Sequence, residues 1–394
     1  MPSDVLTSKL AGFGTTIFAE MSALATATGS INLGQGFPDT DGPVEVLEAA
    51  IDAIRSGVNQ YPPGLGDADL RVAIAEHQKR WYGLDVDPDT EVVVTAGATE
   101  ALAGAMLGML DAGDEVVLFE PMYDSYQAGI ALAAAVPVPV LLTPSDDGTW
   151  RFDPDAFRAA ISDRTKFILL NTPHNPTGKV FDRVELELIA EVAIEHDLIV
   201  VTDEVYEHLV FDGVDHVPLA TLPGMFERTL TISSGGKTFH TTGWKIGWMT
   251  GPIELVTAAR LAKQYLTYVN GAPFQPATAV GLRLGNDYYE RLVGDLQIAR
   301  DRLAGGLERA GFVTYRPEAS YFVTVDIRSA RPDGDGMAFC RELPATADVV
   351  AVPASAFYMN PEHGSHLVRF ACCKQLEVID AAVEKLVSAF GTDA

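Results

Sequence analysis

The sequence is poor in cysteine and in positive charge. Its three cysteines, Cys340, Cys372 and Cys373, form neither a disulfide framework nor a spaced metal motif, so we expect no metal and a reducing compartment. The chain has 28 basic residues against 54 acidic ones, which gives a net charge of -26. Because nucleic acids and anionic membranes attract positive surfaces, this charge argues against both as partners.

Long apolar runs are also lacking. The longest, residues 130–142, is interrupted by Pro137 and Pro139 and is too short to cross a bilayer. The first residues lack the basic and apolar regions of a signal peptide, so we expect a cytoplasmic protein. A length of 394 residues, with 47% hydrophobic and 21% charged residues, favours a compact protein of about two domains.

The most informative segment spans residues 229–251 and reads TLTISSGGKTFHTTGWKIGWMTG. A β-branched run leads into two serines and two glycines, and the turn that follows carries Lys237. A lysine amine that is held at a strand end and partly desolvated loses its charge readily and can form a Schiff base with an aldehyde. One alternative is a phosphate-binding P-loop, which would need glycine in place of Thr231 and a helix straight after the lysine. The other is an ordinary surface lysine in a turn.

The region between residues 91 and 234 predicts an α/β fold with a mostly parallel sheet. Helical segments separate most of its β-branched runs, which read EVVVT, EVVLFE, VPVPVLL, TKFILLN, LIVVT and TLTISS. Continuous apolar strands are typical of parallel sheets that helices cover on both faces. Ligands bind such sheets beyond the carboxyl ends of the strands, and polar residues follow several of these strands here.

Several of these polar residues are candidates for ligand binding. The helix that begins at Gly97, Ala98 and Thr99 offers free N–H groups that suit a phosphate, although a helix cap alone explains Thr99. Asp203 ends an apolar strand, where a carboxylate needs a partner. It could form a salt bridge or cap a helix, or it could pair with a protonated pyridine nitrogen. Arg369 lies in another apolar strand, and its guanidinium would fit the α-carboxylate of a substrate.

In the string from Ser234 to Trp248, a serine precedes Lys237 by three residues and GWKIGW follows it. This string resembles the cofactor-lysine motif of class I pyridoxal-phosphate aminotransferases. Further stretches are similar to one branch of that family, which contains kynurenine aminotransferases, glutamine transaminase K and actinobacterial N-succinyldiaminopimelate aminotransferases. They read AEMSALAT, LGQGFPDTDGP, NQYPPG, TDEVYEHLVFD and GAPFQPA. The resemblance extends from about Thr15 to Lys374.

This resemblance implies a homodimeric enzyme with the fold-type-I architecture. Its cofactor would be pyridoxal 5′-phosphate, held as a Schiff base on Lys237. The large domain would contain a mostly parallel seven-stranded sheet and span residues 46–284. An N-terminal arm with a substrate loop, residues 1–45, would pack with a smaller α+β domain, residues 285–394.

The resemblance also implies a role for each candidate residue. Lys237 would carry out the proton transfer, Asp203 would keep the pyridine nitrogen protonated, and Tyr206 would donate to the ring oxygen. The other cofactor contacts would be Gly97, Ala98, Thr99, Ser234 and Lys245 at the phosphate, Tyr123 against the ring, Asn175 at the ring oxygen, and Tyr61 reaching the other subunit's cofactor phosphate. The substrate would be bound by Gly36, Asn175 and Arg369. From the residues alone, a packed loop aromatic is the better explanation of Tyr61, and the asparagines could merely shape a turn.

The resemblance favours transfer of an amino group between an amino acid and a 2-oxo acid, with N-succinyldiaminopimelate of lysine biosynthesis as the favoured substrate. Aspartate aminotransferases carry an arginine for a second carboxylate near this chain's residues 264–276, and no basic residue lies between Gln264 and Pro276. Tyr265, Tyr268 and Phe274 in this stretch suggest a pocket for larger or less charged side chains, and ordinary packing explains each of them equally well. One alternative is transamination of kynurenine, methionine or glutamine, and another is carbon–sulfur β-elimination. Both would use the same residues. A non-catalytic regulator would need a DNA-binding surface, which the net charge disfavours.

Overall fold

The computed structural model describes residues 5–145 and 147–391 and arranges the strands in three sheets. The strands are β1 (Ile31–Asn32), β2 (Val92–Ala96), β3 (Glu115–Glu120), β4 (Val136–Pro144), β5 (Trp150–Phe152), β6 (Thr165–Asn171), β7 (Ile199–Asp203), β8 (Thr229–Ser234), β9 (Ile246–Thr250), β10 (Val313–Tyr315), β11 (Phe322–Asp326), β12 (Val349–Val350), β13 (Val352–Pro353) and β14 (Leu367–Ala371). The α-helices are α1 (Ile17–Thr28), α2 (Val44–Arg55), α3 (Ala68–Tyr82), α4 (Gly97–Met109), α5 (Asp124–Leu132), α6 (Pro154–Ala159), α7 (Arg183–Glu195), α8 (Gly235–Thr238), α9 (Ile253–Lys263), α10 (Phe274–Leu282), α11 (Asn286–Arg309), α12 (Gly336–Ala347) and α13 (Leu376–Phe390).

The largest sheet has the strand order β2-β9-β8-β7-β6-β3-β4-β5. Strands β8, β7, β6, β3 and β4 pair in parallel, whereas β9 runs antiparallel to both of its neighbours. The predicted mostly parallel seven-stranded sheet is therefore confirmed. Short β5, which we did not predict, adds an eighth strand by pairing antiparallel with the end of β4.

Both faces of this sheet are buried, which explains why its strands read as continuous apolar runs. In β3, Val117 and Phe119 belong to one hydrophobic cluster, and Val116 and Leu118 belong to another. Successive side chains of a strand point to opposite faces, so two clusters on one strand require cover on both sides. Polar residues lie at the carboxyl ends of β6 and β7.

The C-terminal part of the chain forms a second sheet with the order β10-β11-β14-β13, all antiparallel. Thr324 of β11 lies opposite Arg369 of β14 in this sheet. The N-terminal segment joins this part of the chain because β1 pairs in parallel with β12, with Ile31 beside Val349. The division into residues 1–45, 46–284 and 285–394 stays a prediction.

In the described ranges, no helix has both the length and the apolar character that would let it cross a bilayer.

Candidate active site

A cavity of about 330 Å³ lies at the carboxyl ends of β6, β7 and β8. Every candidate residue except Tyr61 contributes to its wall. These residues are Gly36, Gly97, Ala98, Thr99, Tyr123, Asn175, Asp203, Tyr206, Ser234, Lys237, Lys245 and Arg369. The fold therefore brings together segments that lie more than 300 residues apart in the sequence.

Lys237 lies on the short helix α8, directly after β8, and is half-buried. Its Nζ donates a hydrogen bond to the Gly36 carbonyl at 3.4 Å and lies 5.7 Å from the ring centre of Tyr206. Burial lowers the pKa of Lys237 to about 8, although the nearby Cys373 and Asp203 oppose this shift. The amine is therefore closer to neutrality than a lysine in water, as a nucleophile requires.

Asp203 ends β7 and is buried. Its Oδ2 accepts a hydrogen bond from the Tyr126 hydroxyl at 2.7 Å, and its Oδ1 accepts one from the Val205 N–H at 3.4 Å. Burial raises the pKa of Asp203 to about 6, and these hydrogen bonds and Lys237 counteract part of the rise. Within residues 5–145 and 147–391, no basic side chain forms a salt bridge with this carboxylate, so it is able to pair with a cationic group in the cavity.

The first turn of α4 and Lys245 form an anion-attracting corner of the cavity. Lys245 Nζ lies 3.2 Å from the Thr99 hydroxyl, which it contacts as a hydrogen-bond donor. A Cβ atom added to Gly247 would lie 2.5 Å from the Gly97 carbonyl carbon, so glycine is needed for this close approach of β9 to α4. The N-terminus of the 13-residue helix α4 and the lysine charge both favour an anion such as phosphate.

Arg369 is buried in β14, and its guanidinium lies on the cavity wall. Nη1 donates to the Asn175 side-chain oxygen at 2.9 Å and Nη2 donates to the Gly34 carbonyl at 3.2 Å. Its guanidinium carbon lies 3.9 Å from the centre of the Phe322 ring. Burial lowers the pKa of Arg369 to about 10. In the part of the chain that the structure describes, the guanidinium has no carboxylate partner, which a substrate carboxylate would supply.

The loop that contains Gly36 contacts both Arg369, through the Gly34 carbonyl, and Lys237. A Cβ atom added to Gly36 would be 2.5 Å from Cζ of Phe322, so the loop can approach that ring only with glycine. The Gly36 carbonyl accepts a hydrogen bond from the Tyr321 hydroxyl at 2.7 Å as well as the one from Lys237. This loop is thereby fixed at the cavity mouth.

Two tyrosines that we did not predict hold predicted residues in place. Tyr126 binds Asp203, and Tyr321 binds the Gly36 loop while its ring lies edge-on to Tyr206 at 5.3 Å. Tyr126 comes one helical turn after Tyr123, so the helix period was a signal that could have placed both on one wall. Tyr321 had no comparable signal, because only the folding of the C-terminal sheet brings it to the cavity.

Tyr61 is the one candidate that the cavity does not contain. Its side chain is 83% exposed, and its ring lies 6.0 Å from that of Tyr268. The packed-aromatic interpretation therefore does not describe this residue within a single chain. Its predicted contact with a second subunit stays a prediction.

The cavity joins a desolvated lysine to a buried carboxylate and an anion-attracting helix end. Together with the fold, these groups define a cofactor-dependent transferase. The family model for aminotransferase class I and II matches residues 28–386, and the chain belongs to this family. Members of the family depend on pyridoxal 5′-phosphate, so the chain is an aminotransferase that uses this cofactor and acts on an amino acid and a 2-oxo acid.

Known relatives cover nearly the whole chain. A probable N-succinyldiaminopimelate aminotransferase of Mycobacterium tuberculosis is 51% identical over 388 residues, which are 96% of this chain and 97% of the relative. The methionine aminotransferase of Escherichia coli is 39% identical over 379 residues, which are 96% of this chain and 97% of that protein. The solved structure of the N-succinyldiaminopimelate aminotransferase from Mycobacterium tuberculosis superposes with a TM-score of 0.95 and 51% identity, over 98% of this chain and 100% of that one.

Replacing Tyr126 by phenylalanine is expected to raise the pKa of Asp203, because the hydroxyl donates to the ionised carboxylate and favours that form. The affinity of the apoprotein for pyridoxal phosphate should fall as the pH drops through about 6, since a protonated carboxyl cannot pair with a cationic ring nitrogen. In the variant this fall should begin at a higher pH. Fluorescence titration of both apoproteins across this pH range measures the two midpoints, and identical midpoints would contradict this account of the hydrogen bond.

Proposed function

We propose that this chain transfers an amino group between N-succinyl-LL-diaminopimelate and 2-oxoglutarate in lysine biosynthesis. The observation that carries the proposal is the identity of 51%, over 96% of the chain, with a relative that bears this name.

The chemical groups on the cavity wall fit the cofactor. Lys237 offers an amine for its aldehyde, and Asp203, which has no cationic partner among the described residues, offers a buried carboxylate for its ring nitrogen. The first turn of α4, together with Ser234 and Lys245, suits its phosphate. When bound, pyridoxal phosphate supplies an electron sink that stabilises a carbanion at the substrate α-carbon.

We assign the acid–base work to Lys237. Its Nζ would hold the cofactor covalently until the substrate amine displaces it. The freed Nζ would then take the proton from the substrate α-carbon and deliver it to the former aldehyde carbon of the cofactor, a task that suits an amine whose pKa burial lowers to about 8. The position of Lys237 at the end of a buried strand limits its movement and so keeps Nζ near the reacting carbon.

We assign the orientation of the cofactor ring to the residues that surround it. The carboxylate of Asp203 would pair with the ring nitrogen and keep it protonated, while Tyr206 would donate to the ring oxygen. Burial raises the pKa of Tyr206, so its hydroxyl keeps the proton that it donates. Tyr123 would lie against the ring, and Asn175 would donate to the ring oxygen through its amide nitrogen, because its side-chain oxygen already accepts from Arg369.

Substrate binding is assigned to Arg369, Asn175 and the backbone of Gly36. The guanidinium can give two parallel hydrogen bonds to the α-carboxylate, which fixes the direction of the α-carbon. Aromatic rings of Phe18 and Phe322 flank the guanidinium, at 5.2 and 3.9 Å, and exclude water from it. A carboxylate bound there would be held more strongly than one in water.

Replacing Arg369 by glutamine should lower kcat/KM for the amino acid by about 30- to 5,000-fold. This follows from the roughly 2–5 kcal/mol that is lost when one partner of a buried charge pair is removed. Arg369→Lys should lose less, because it keeps the charge but not the two-pronged geometry. Steady-state kinetics measure both variants, and unaltered cofactor affinity is the control. Equal kinetics for glutamine and arginine at this position would remove Arg369 from the substrate site.

We further propose a cytoplasmic homodimer in which Tyr61 reaches the cofactor phosphate of the second subunit. The exposure of Tyr61, Tyr265 and Tyr268 in one chain supports a surface that a second copy would cover. The three cysteines are free and buried, which is compatible with a reducing compartment. The pairing of β1 with β12 supports an arm, residues 1–45, that belongs with the small domain, residues 285–394, beside a large domain of residues 46–284.

A second candidate function is methionine transamination, which the E. coli relative of 39% identity favours. Comparison of kcat/KM for N-succinyl-LL-diaminopimelate, methionine, kynurenine and glutamine, each with 2-oxoglutarate, separates the two. We expect the highest value for the first of these substrates. A higher value for any of the other three would overturn the proposed substrate, and pyruvate release from a cysteine conjugate would reveal a β-elimination activity.

A further inference from the structure

A second cavity, of about 550 Å³, opens beside helix α3 and the segment that follows β7. Its wall shares no residue with the cavity that holds Lys237. Instead it contains Trp81 and Tyr82 from α3, Glu207 and His208, and Tyr289 from α11. Neither the chemistry of amino transfer nor the binding of its cofactor uses these residues.

Three side chains with metal-ligating atoms meet beside this cavity, and two of them, Glu207 and His208, contribute to its wall. His77 belongs to α3, whereas Glu207 and His208 follow β7, and their ligating atoms all lie within 4.8 Å of one another. The Nε2 atoms of His77 and His208 are 2.6 Å apart. His77 and Glu207 are buried, and His208 is half-buried at the cavity.

The two imidazoles are close to the arrangement that a metal ion needs. Nitrogen ligands lie about 2.0–2.1 Å from zinc, so two of them at a tetrahedral angle are about 3.3 Å apart. The observed Nε2 separation of 2.6 Å is about 0.7 Å shorter, because the two atoms share one proton in a hydrogen bond. The two Nε2 atoms would have to move apart by this distance for a metal ion to replace the shared proton.

The protonation states suit a metal ion as well. Burial lowers the pKa of His77 to about 3 and that of His208 well below its ordinary value, so both rings are neutral and offer a lone pair. Burial raises the pKa of Glu207 to about 7, and a neighbouring divalent cation would favour its ionised form. Glu207 is already oriented, because it accepts hydrogen bonds from Ser233 and from Tyr82, the latter at 2.6 Å.

Several buried polar atoms around the cluster lack a hydrogen-bond partner within the described part of the chain. Among the described residues, four buried atoms near it have no hydrogen-bond partner, and they are His77 Nδ1, Trp81 Nε1, Glu204 Oε1 and His216 Nδ1. Glu204 accepts a single hydrogen bond, from His216 at 2.8 Å, although both residues are almost fully buried. Buried polar atoms in native proteins nearly always have a hydrogen-bond partner. A bound ion with its water ligands is one source of such partners.

We propose that His77, Glu207 and His208 bind a divalent transition-metal ion, for which Zn²⁺ is the test ion. Two imidazoles and one carboxylate are a known ligand set for zinc, and the open cavity would supply water as the fourth ligand. The ion would tie α3 to the segment that begins at Asp203. It would therefore stabilise the folded enzyme without entering the active-site cavity.

The test is metal retention by the tag-free holoenzyme. The protein is stripped with a chelator, loaded with ZnCl₂, desalted and analysed by inductively coupled plasma mass spectrometry. The wild type should retain about one equivalent per chain and show a higher melting temperature than the stripped enzyme, as expected for a ligand that binds only the folded state. His208→Gln should lose both effects, and so should His77→Gln if it folds.

The matched control is His196→Gln, because His196 is exposed at the end of α7 and is not a member of the cluster. This variant should retain zinc as the wild type does. The proposal is overturned if the wild type retains no zinc after desalting, or if His208→Gln retains as much zinc as the wild type. The visible spectrum of the bound cofactor, recorded on each sample, shows that the variants compared are folded.

Discussion

Replacing Lys237 by alanine is expected to reduce turnover by at least about 10⁴-fold, the upper end of what one positioned proton-transfer group contributes. The variant loses the amine that contacts the Gly36 carbonyl and lies 5.7 Å from the Tyr206 ring centre, so both the covalent hold on the cofactor and the proton transfer are lost. Single-turnover and steady-state assays of amino transfer measure the effect. The fold should persist, because Lys237 makes a single long hydrogen bond.

Borohydride reduction provides an independent readout of the same residue. After reduction, the wild type should carry the mass of the cofactor on the peptide that contains Lys237, and the alanine variant should carry none. Lys166→Ala is the matched control, since Lys166 is an exposed lysine on β6 and should affect neither measurement. Normal turnover by the Lys237 variant, or cofactor trapped on another lysine, would contradict the mechanism.

The second large effect is expected for Asp203→Asn, which should lower kcat by about 10²- to 10³-fold, the range found when one preorganised electrostatic group is removed. Asparagine keeps the size of the side chain and can still accept a hydrogen bond from Tyr126, but it has no charge with which to hold a protonated ring nitrogen. Cofactor affinity should fall in parallel. Lys237 should still be labelled by borohydride, which separates this defect from loss of the amine.

Asp197→Asn serves as the control for this substitution. The Asp197 side chain is 94% exposed, and its salt bridge with Arg228 lies at the surface, so its loss should change stability by less than about 1 kcal/mol and leave kcat unchanged. If Asp203→Asn retained wild-type kcat and cofactor affinity, the carboxylate would have no role in the electron sink. Its burial would then be purely structural.

The sequence was sufficient to predict the large sheet and most of the cavity wall, because both follow from local patterns. Apolar runs of five to seven residues identified the parallel strands, and the residues that follow them, such as Asp203, meet at one edge of the sheet because its order brings the strand ends together. The short strand β5 was missed, since Trp150–Phe152 is too short to show an alternating pattern.

Contacts between distant segments were less predictable. Arg369 was identified as a buried arginine in an apolar strand, but its bond with Asn175 depends on how the C-terminal sheet packs against the large one. Tyr321 and the Gly36 loop meet for the same reason. The polar cluster at the second cavity shows this most clearly, because His77 and His208 are separated by 131 residues and neither lies in a metal-binding motif.

The role of Tyr61 was hard to predict from the sequence for a different reason. Local sequence did not separate a packed aromatic from one that reaches a second subunit, and the exposure of Tyr61 in a single chain is the property that favours the second interpretation. The resemblance to known aminotransferases supplied this expectation, and local residue patterns could not have done so.

The most direct test of the central claim is the visible spectrum of the purified protein before and after addition of single amino acids, without any 2-oxo acid. The account predicts a yellow protein whose absorption band converts to that of the amine form of the cofactor with N-succinyl-LL-diaminopimelate and with glutamate, but not with kynurenine or methionine. Conversion by kynurenine or methionine instead would contradict the proposed substrate. A colourless protein that pyridoxal phosphate fails to reconstitute would contradict the active site as a whole.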